Sequence, residues 1–347
     1  MTATVLVTGG TGYVAGWCVT RLLEQGYQVR TTVRGPGRED AVRAAAAAGL
    51  GADGYEAARD RLGFAVADLT SDAGWDRAVE GCGYVLHVAS PLGGDAPKDP
   101  DALIGPARDG ALRVLRAAVD AGVERVVMTS ACAAASPPLG APDSVSDETR
   151  WTDTADPTLT AYRKSKAVAE QAAWQFMRER DAERRLVTVL PGAVFGPLLH
   201  HSQRGSAQIV ERLLGGMPGT ARIGFEVVDV RDLADLHVRA MTAPEAAGQR
   251  FIGAGEFLWM SELADVLRDR LGVAAAKVPT RTLPDTAVRL LARVTPGLRA
   301  LTPYLGRKHL HVPDKAERVL GWRTRPAADT LADCARSLAE HPLPVAG

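Results

Sequence analysis

A chain of 347 residues, 46% of them hydrophobic, is long enough to bury a substantial core in one large or two modest domains. Its 41 basic and 41 acidic residues cancel, so no global field draws it to nucleic acid or an anionic membrane, and a small molecule is the expected partner. Four scattered cysteines (Cys18, Cys82, Cys132, Cys334) fit neither a disulfide scaffold nor a zinc site. They are read as reduced thiols, with Cys132 beside a candidate active-site segment. No apolar run reaches the ~20 residues of a membrane span, and the chain opens directly into a strand pattern rather than a signal core. A cytoplasmic protein, monomer or homodimer, without membrane or nucleic-acid contacts, is expected.

Taken in chain order, short Val-rich runs separated by segments of helical spacing predict strands over residues 4–8, 28–33, 64–67, 84–88, 125–129 and 187–190. Between them, Val14, Cys18 and Leu22 repeat every fourth residue until Gly26 ends a first helix, and residues 103–121 make another. The alanine run 44–48 consists of good helix formers and needs no functional explanation. This rhythm predicts an α/β fold, a doubly wound parallel sheet with crossover helices. From Pro191 the alternation loosens and Gly and Pro multiply. Residues 1–190 are therefore assigned to a dinucleotide-binding domain and 191–347 to a smaller, mostly helical substrate-binding region. Helices are expected at 261–270, 286–294 and 327–339, and residues 226–230 and 250–253, within a segment near 224–255, as strands returning to the sheet.

Directly after the first strand comes Thr8-Gly9-Gly10-Thr11-Gly12-Tyr13-Val14-Ala15-Gly16, a G-x-x-G-x-x-A turn entering a helix. Glycines there let the backbone approach a pyrophosphate, whose charge is met by free N–H groups at the helix N-terminus. The second strand ends at Arg34, where an NAD-specific site would offer Asp or Glu. Arg34, helped by Arg38 and Arg43, suits a 2′-phosphate, so NADP(H) is the expected cofactor. Asp68 and Leu69, after the third strand, are expected to border the adenine. The loop carrying Ala89, Ser90 and Pro91, after the fourth strand, is expected along the middle of the cofactor.

Tyr162 and Lys166 lie four residues apart at the start of a predicted helix, hence on one face. A phenol donates a proton usefully when a nearby ammonium stabilises its anion. Tyr162 is thus the expected proton donor to a carbonyl oxygen, with Lys166 holding the nicotinamide ribose. His200 and His201 lack partners at ligand spacing, and no metal is assigned. Leu92, Trp151, Val194, Phe195, Phe225 and Trp259 are candidates for an apolar pocket favouring aryl or alkyl carbonyls.

The glycine turn, the TTVR, ADL, HVASP and RVVMTS runs, YRKSK, PGAVFGP and the segment beginning Asp229-Val-Arg-Asp together resemble an extended short-chain dehydrogenase/reductase over nearly the whole chain. The match is to the dihydroflavonol reductase-like aldehyde/ketone reductase branch. The resemblance implies a Rossmann fold, NADPH and carbonyl reduction, with Pro191, Gly192 and Val194 beside the nicotinamide and Thr129 near it. It also implies a serine where this chain carries Ala131. Ser130, Thr129 or a water is expected to supply that hydrogen bond, and Ser130 is taken as the third catalytic candidate. Ser136 stands where plant flavonoid reductases carry an amide, so a flavonoid substrate is not expected. The runners-up are a nucleotide-sugar epimerase or dehydratase, a hydroxysteroid dehydrogenase, and a non-catalytic NADPH sensor.

Overall fold

The computed structural model describes residues 3–91, 101–201, 203, 205–293 and 301–341. The first half alternates strand and helix. It contains β1 (Thr4–Val7), α1 (Tyr13–Glu24), β2 (Gln28–Val33), α2 (Glu39–Leu50), α3 (Ala52–Ala58), β3 (Leu62–Val66), α4 (Trp75–Val79), β4 (Cys82–His87), α5 (Asp101–Asp120) and β5 (Arg125–Thr129). There follow β6 (Ser144–Ser146), α6 (Ala161–Glu179), β7 (Leu186–Pro191), β8 (Ala193–Phe195), α7 (Ala207–Gly215), β9 (Gly224–Asp229), α8 (Val230–Thr242), β10 (Arg250–Gly253), β11 (Phe257–Trp259) and α9 (Met260–Leu271). The chain continues through α10 (Asp285–Leu291), β12 (His309–His311) and the helices Asp314–Leu320 and Ala327–Glu340. Of the expected helix 286–294, the last residue lies outside the described residues.

Seven strands form one sheet in the order β10-β7-β5-β4-β1-β2-β3, every neighbouring pair parallel. Parallel strands buried on both faces need nearly continuous apolar sequence. β7, Leu-Val-Thr-Val-Leu-Pro, is buried along its whole length. Alternation within a strand sorts side chains between the two faces. In β1, Val5 and Val7 join the core under α1 and α8, while Leu6 joins the core under α4, α5 and α6. The result is a Rossmann sandwich whose strand order reverses between β1 and β4, the position at which such sheets open a crevice at the strands' carboxyl ends.

One expected strand goes elsewhere. β10 does join the main sheet, but residues 226–230 do not return to it. β9 instead pairs parallel with β8 and antiparallel with β11 in a separate three-stranded sheet. Its first three residues are only half-buried and its last three are buried, Val228 in the main core and Val227 in the C-terminal one, so β9 lies between the two layers, whereas β10 is the edge strand of the main sheet beside β7. This second sheet packs with α9 and Ala327–Glu340 around Phe195, Val227, Leu263, Leu267 and Leu331. Asp229 ties the layers together: wholly buried, it accepts from Arg231, which also reaches Asp333 at 2.8 Å.

Candidate active site

The glycine turn lies at the crevice. Gly9 has φ +73°, a conformation that favours glycine, and a Cβ on it would come within 2.9 Å of Ala89 Cβ. The first and fourth strands' loops therefore touch. Thr8 locks that contact: its Oγ1 accepts from the N–H groups of Val88 (3.0 Å) and Ala89 (2.9 Å), which turns its own proton towards His87 Nδ1 at 3.0 Å. Gly9 N–H donates to Thr32 Oγ1 at 2.8 Å. Gly12 caps α1 without any side-chain hydrogen bond, leaving the first-turn N–H groups, including those of Tyr13 and Val14, at an open helix terminus. Beneath it Gln203 donates to the carbonyls of Thr11 (3.5 Å) and Gly12 (3.2 Å). The Tyr13 hydroxyl is engaged elsewhere, donating to Gly196 O at 2.6 Å. A bare, glycine-built cradle below a helix N-terminus fits a dinucleotide pyrophosphate.

At the end of β2 Arg34 is exposed and lies near Asp68. The Asp68 carboxyl is held below its ordinary range chiefly by the hydroxyl and N–H of Thr70, with a smaller contribution from Arg34. Arg38 is exposed as well, but Arg43 is occupied: its guanidinium stacks 4.6 Å from the Phe64 ring centroid and pairs with Glu39 at 3.8 Å. Leu69 is partly buried and accepts through its carbonyl from Arg113. Ser90 and Pro91 are half-buried, and Leu92 lies outside the described residues.

Across the crevice, Thr160 caps α6 by accepting from Arg163 N–H at 3.3 Å, and the helix then presents Tyr162 and Lys166. Tyr162 as a whole residue is 44% exposed, while its phenol lies among surrounding protein atoms. Burial first, then the neighbouring Tyr304 and Cys132, push the phenol up to about 12. Lys166 is buried, and that burial brings its ammonium down to about 8. Neither side-chain polar group has a hydrogen-bond partner among the described residues. His87, buried and next to Lys166, is held neutral by burial and by that ammonium, its pKa lowered to about 3.

The surrounding donors, by contrast, are committed. Ser130 is the main correction: its hydroxyl donates to Glu170 Oε2 at 2.6 Å inside the protein, and a serine has one proton to give. Thr129 faces the opposite layer, 2.7 Å from His237 Nε2; because His237 Nδ1 donates to Leu233 O at 2.8 Å, the threonine is the donor. Consecutive strand residues point to opposite faces, so one hydroxyl is claimed by α6 and the other by α8. The Cys132 thiol donates to Leu190 O at 3.2 Å, and burial raises its pKa well above the ordinary value.

Gly192 follows β7, where a Cβ would sit 2.4 Å from Glu226 O, so the backbone of β9 runs directly against it. Pro191 is buried and Val194 packs on the main core. Glu226 accepts from His311 Nδ1 at 2.6 Å, and His311 Nε2 is 3.0 Å from Ser136 Oγ. Cys132, Glu226 and His311 offer ligand atoms within 4.8 Å of one another, but each of the three side chains is already bonded inside the protein. Two pocket candidates belong elsewhere. Phe195 is fully buried in the C-terminal core. Trp151 stacks on Arg250 at 3.7 Å and lines a surface groove with Val145, Arg150 and Val312. Phe225 and Trp259 remain partly buried, edge-on to Phe195 and Phe257.

Sequence reasoning missed Glu170, although it extends the spacing of Tyr162 and Lys166 by four more residues and so marks a charge on the packed face. It also missed His237, Gln203, Glu226, His311 and Tyr304, which come from distant segments and carry no local signal.

A family description, the NAD dependent epimerase/dehydratase family, matches residues 5–253. Among relatives, cinnamoyl-CoA reductase CAD2 of Medicago truncatula is 36% identical over 76% of this chain and 80% of that enzyme. Tetraketide alpha-pyrone reductase 1 of Arabidopsis thaliana is 30% identical over 97% of this chain and 95% of its own length. Among solved structures, Gre2 of Candida albicans in complex with NADPH superposes with a TM-score of 0.80 at 25% identity, covering 97% of this chain and 99% of that one. No helix among the described residues is long and apolar enough to cross a membrane.

Proposed function

This chain belongs to the NAD dependent epimerase/dehydratase family, and from that premise we propose that it is an NADPH-dependent reductase of a small carbonyl substrate. The observation that carries this reading is a contrast: Tyr162 and Lys166 are without partners among the described residues, while the hydroxyls and thiol of residues 129–136 beside them are engaged. A phenol raised to about 12 stays protonated at neutral pH and is ready to donate. The amide terminus at Gly12 would hold the pyrophosphate, Arg34 the 2′-phosphate and Lys166 the ribose; NADPH, when bound, supplies the hydride. Tyr162 hands its proton to the carbonyl oxygen, and the Lys166 ammonium stabilises the phenolate left behind.

In this reading residues 1–190 carry the cofactor and 191–347 shape the pocket, with Phe225 and Trp259 favouring an aryl or apolar substituent. The reductase relatives support the same chemistry. The protein is taken to act in the cytoplasm, as a monomer or homodimer. The test is NADPH and NADH oxidation by the purified protein against aryl aldehydes, aryl ketones and a cinnamoyl thioester. NADPH-dependent turnover of at least one class is expected; NADPH binding without turnover on any would overturn the reductase in favour of a sensor. Arg34→Asp should weaken NADPH binding by tenfold or more, about 1.4 kcal/mol, and leave NADH little changed. Equal loss for both cofactors would remove Arg34 from the phosphate site.

A further inference from the structure

Carbonyl reduction builds negative charge on an oxygen that can accept more than one hydrogen bond, and a second preorganised donor is typically worth about 10²–10³ in rate. The strand end beside Tyr162 does not provide it. Thr129 donates to His237, Ser130 to Glu170, Cys132 to Leu190 O and Ser136 to Cys132 O at 2.6 Å, while residue 131 is alanine.

The C-terminal region provides a candidate. Tyr304 ends a single turn, Thr302–Tyr304, whose position is fixed by the two residues after it: Leu305 is buried in the C-terminal core, and Gly306 N–H donates to Arg222 O at 2.7 Å. That anchoring sets the Tyr304 hydroxyl 3.5 Å from Thr160 Oγ1, at the cap of the helix that carries Tyr162. An O–H···O bond normally measures about 2.7–2.8 Å, so this contact holds the phenolic proton loosely. Thr160 already accepts from Arg163, and if its own proton points to Tyr304, the Tyr304 proton is wholly free.

We propose that Tyr304 is a second catalytic residue, its O–H donating to the same carbonyl oxygen that Tyr162 protonates, in place of a hydroxyl at position 131. The proximity of the two phenols agrees with Tyr304 being one of the groups that raise Tyr162. In this arrangement the C-terminal region polarises the substrate as well as enclosing it, and Tyr304 returns unchanged after each turnover.

The proposal rests on the reductase reading, and the experiment separates the two. Wild type, Tyr162→Phe, Tyr304→Phe and Tyr304→Phe/Ala131→Ser are assayed with NADPH on ring-substituted aryl aldehydes of graded electron demand. Tyr304→Phe, which keeps the ring, should lower kcat by about 10²-fold on electron-rich substrates and by much less on electron-poor ones that need little polarisation. NADPH affinity and Tm should not change. The double variant, which puts a hydroxyl on the strand end, should regain at least tenfold. No loss in Tyr304→Phe, or a uniform loss across the series with no regain, overturns the second donor. Absence of turnover in the wild type, or wild-type rates in Tyr162→Phe, would instead overturn the reductase reading.

Discussion

Lys166 sets the pH dependence of the proposed chemistry. Burial lowers its ammonium from 10.5 to about 8, so it is charged below that value and neutral above it. Tyr162, at about 12, keeps its proton throughout. The kcat/KM for reduction is therefore expected to be level at neutral pH and to fall as pH rises through about 8, with no second inflection from Tyr162 in the accessible range. A profile that stays level well above pH 8 would show that the ammonium is not needed. The spacing of Tyr162 and Lys166 was legible because a four-residue interval on a helix is a geometric statement. The place of Ser130 was not: strand alternation says which face a side chain takes, but not that a buried carboxylate waits there. Only Glu170 Oε2 at 2.6 Å reveals that its proton is committed.

At the scale of the element, α6 is positioned by a buried charge cluster. Glu170 accepts from Ser130, from Thr188 (2.7 Å) and from Arg250 Nε (2.8 Å), and Arg250 also donates to the carbonyls of Glu148 and Arg150. Helix α6 is thereby fastened at once to the residue following β5, to β7 and to β10. Removing one partner of such a pair leaves an uncompensated charge. Glu170→Ala should thus lose about 3–5 kcal/mol of stability, read as a lower urea midpoint at unchanged slope; a midpoint within error of wild type would show that the cluster does not hold the helix. Strands β2 and β5 have the bounds their sequence predicts, since each is a short run rich in β-branched residues closed by polar or turn residues. The segment 226–230 is locally strand-like too, and strand pattern alone does not say which sheet a strand joins; packing between two cores, Val228 on the main one and Val227 on the C-terminal one, decides that.

Across the whole molecule, the two halves differ in how much they disclose. The main sheet is built largely from short-range units, so its doubly wound class and its crevice follow from motif and rhythm. The carboxyl-terminal part acts through contacts between distant segments: Gln203 under the Gly12 turn, Asp333 on Arg231, His311 on Glu226 and Tyr304 at the cap of α6. None of these pairings has a periodicity to read. That the site protonates a carbonyl through Tyr162 is tested most directly by NADPH oxidation on an accepted aryl aldehyde or ketone, with wild type and Tyr162→Phe side by side. The variant is predicted to lose about 10²–10⁴-fold in kcat with NADPH affinity unchanged. Equal rates in the two proteins would contradict a proton donated by Tyr162.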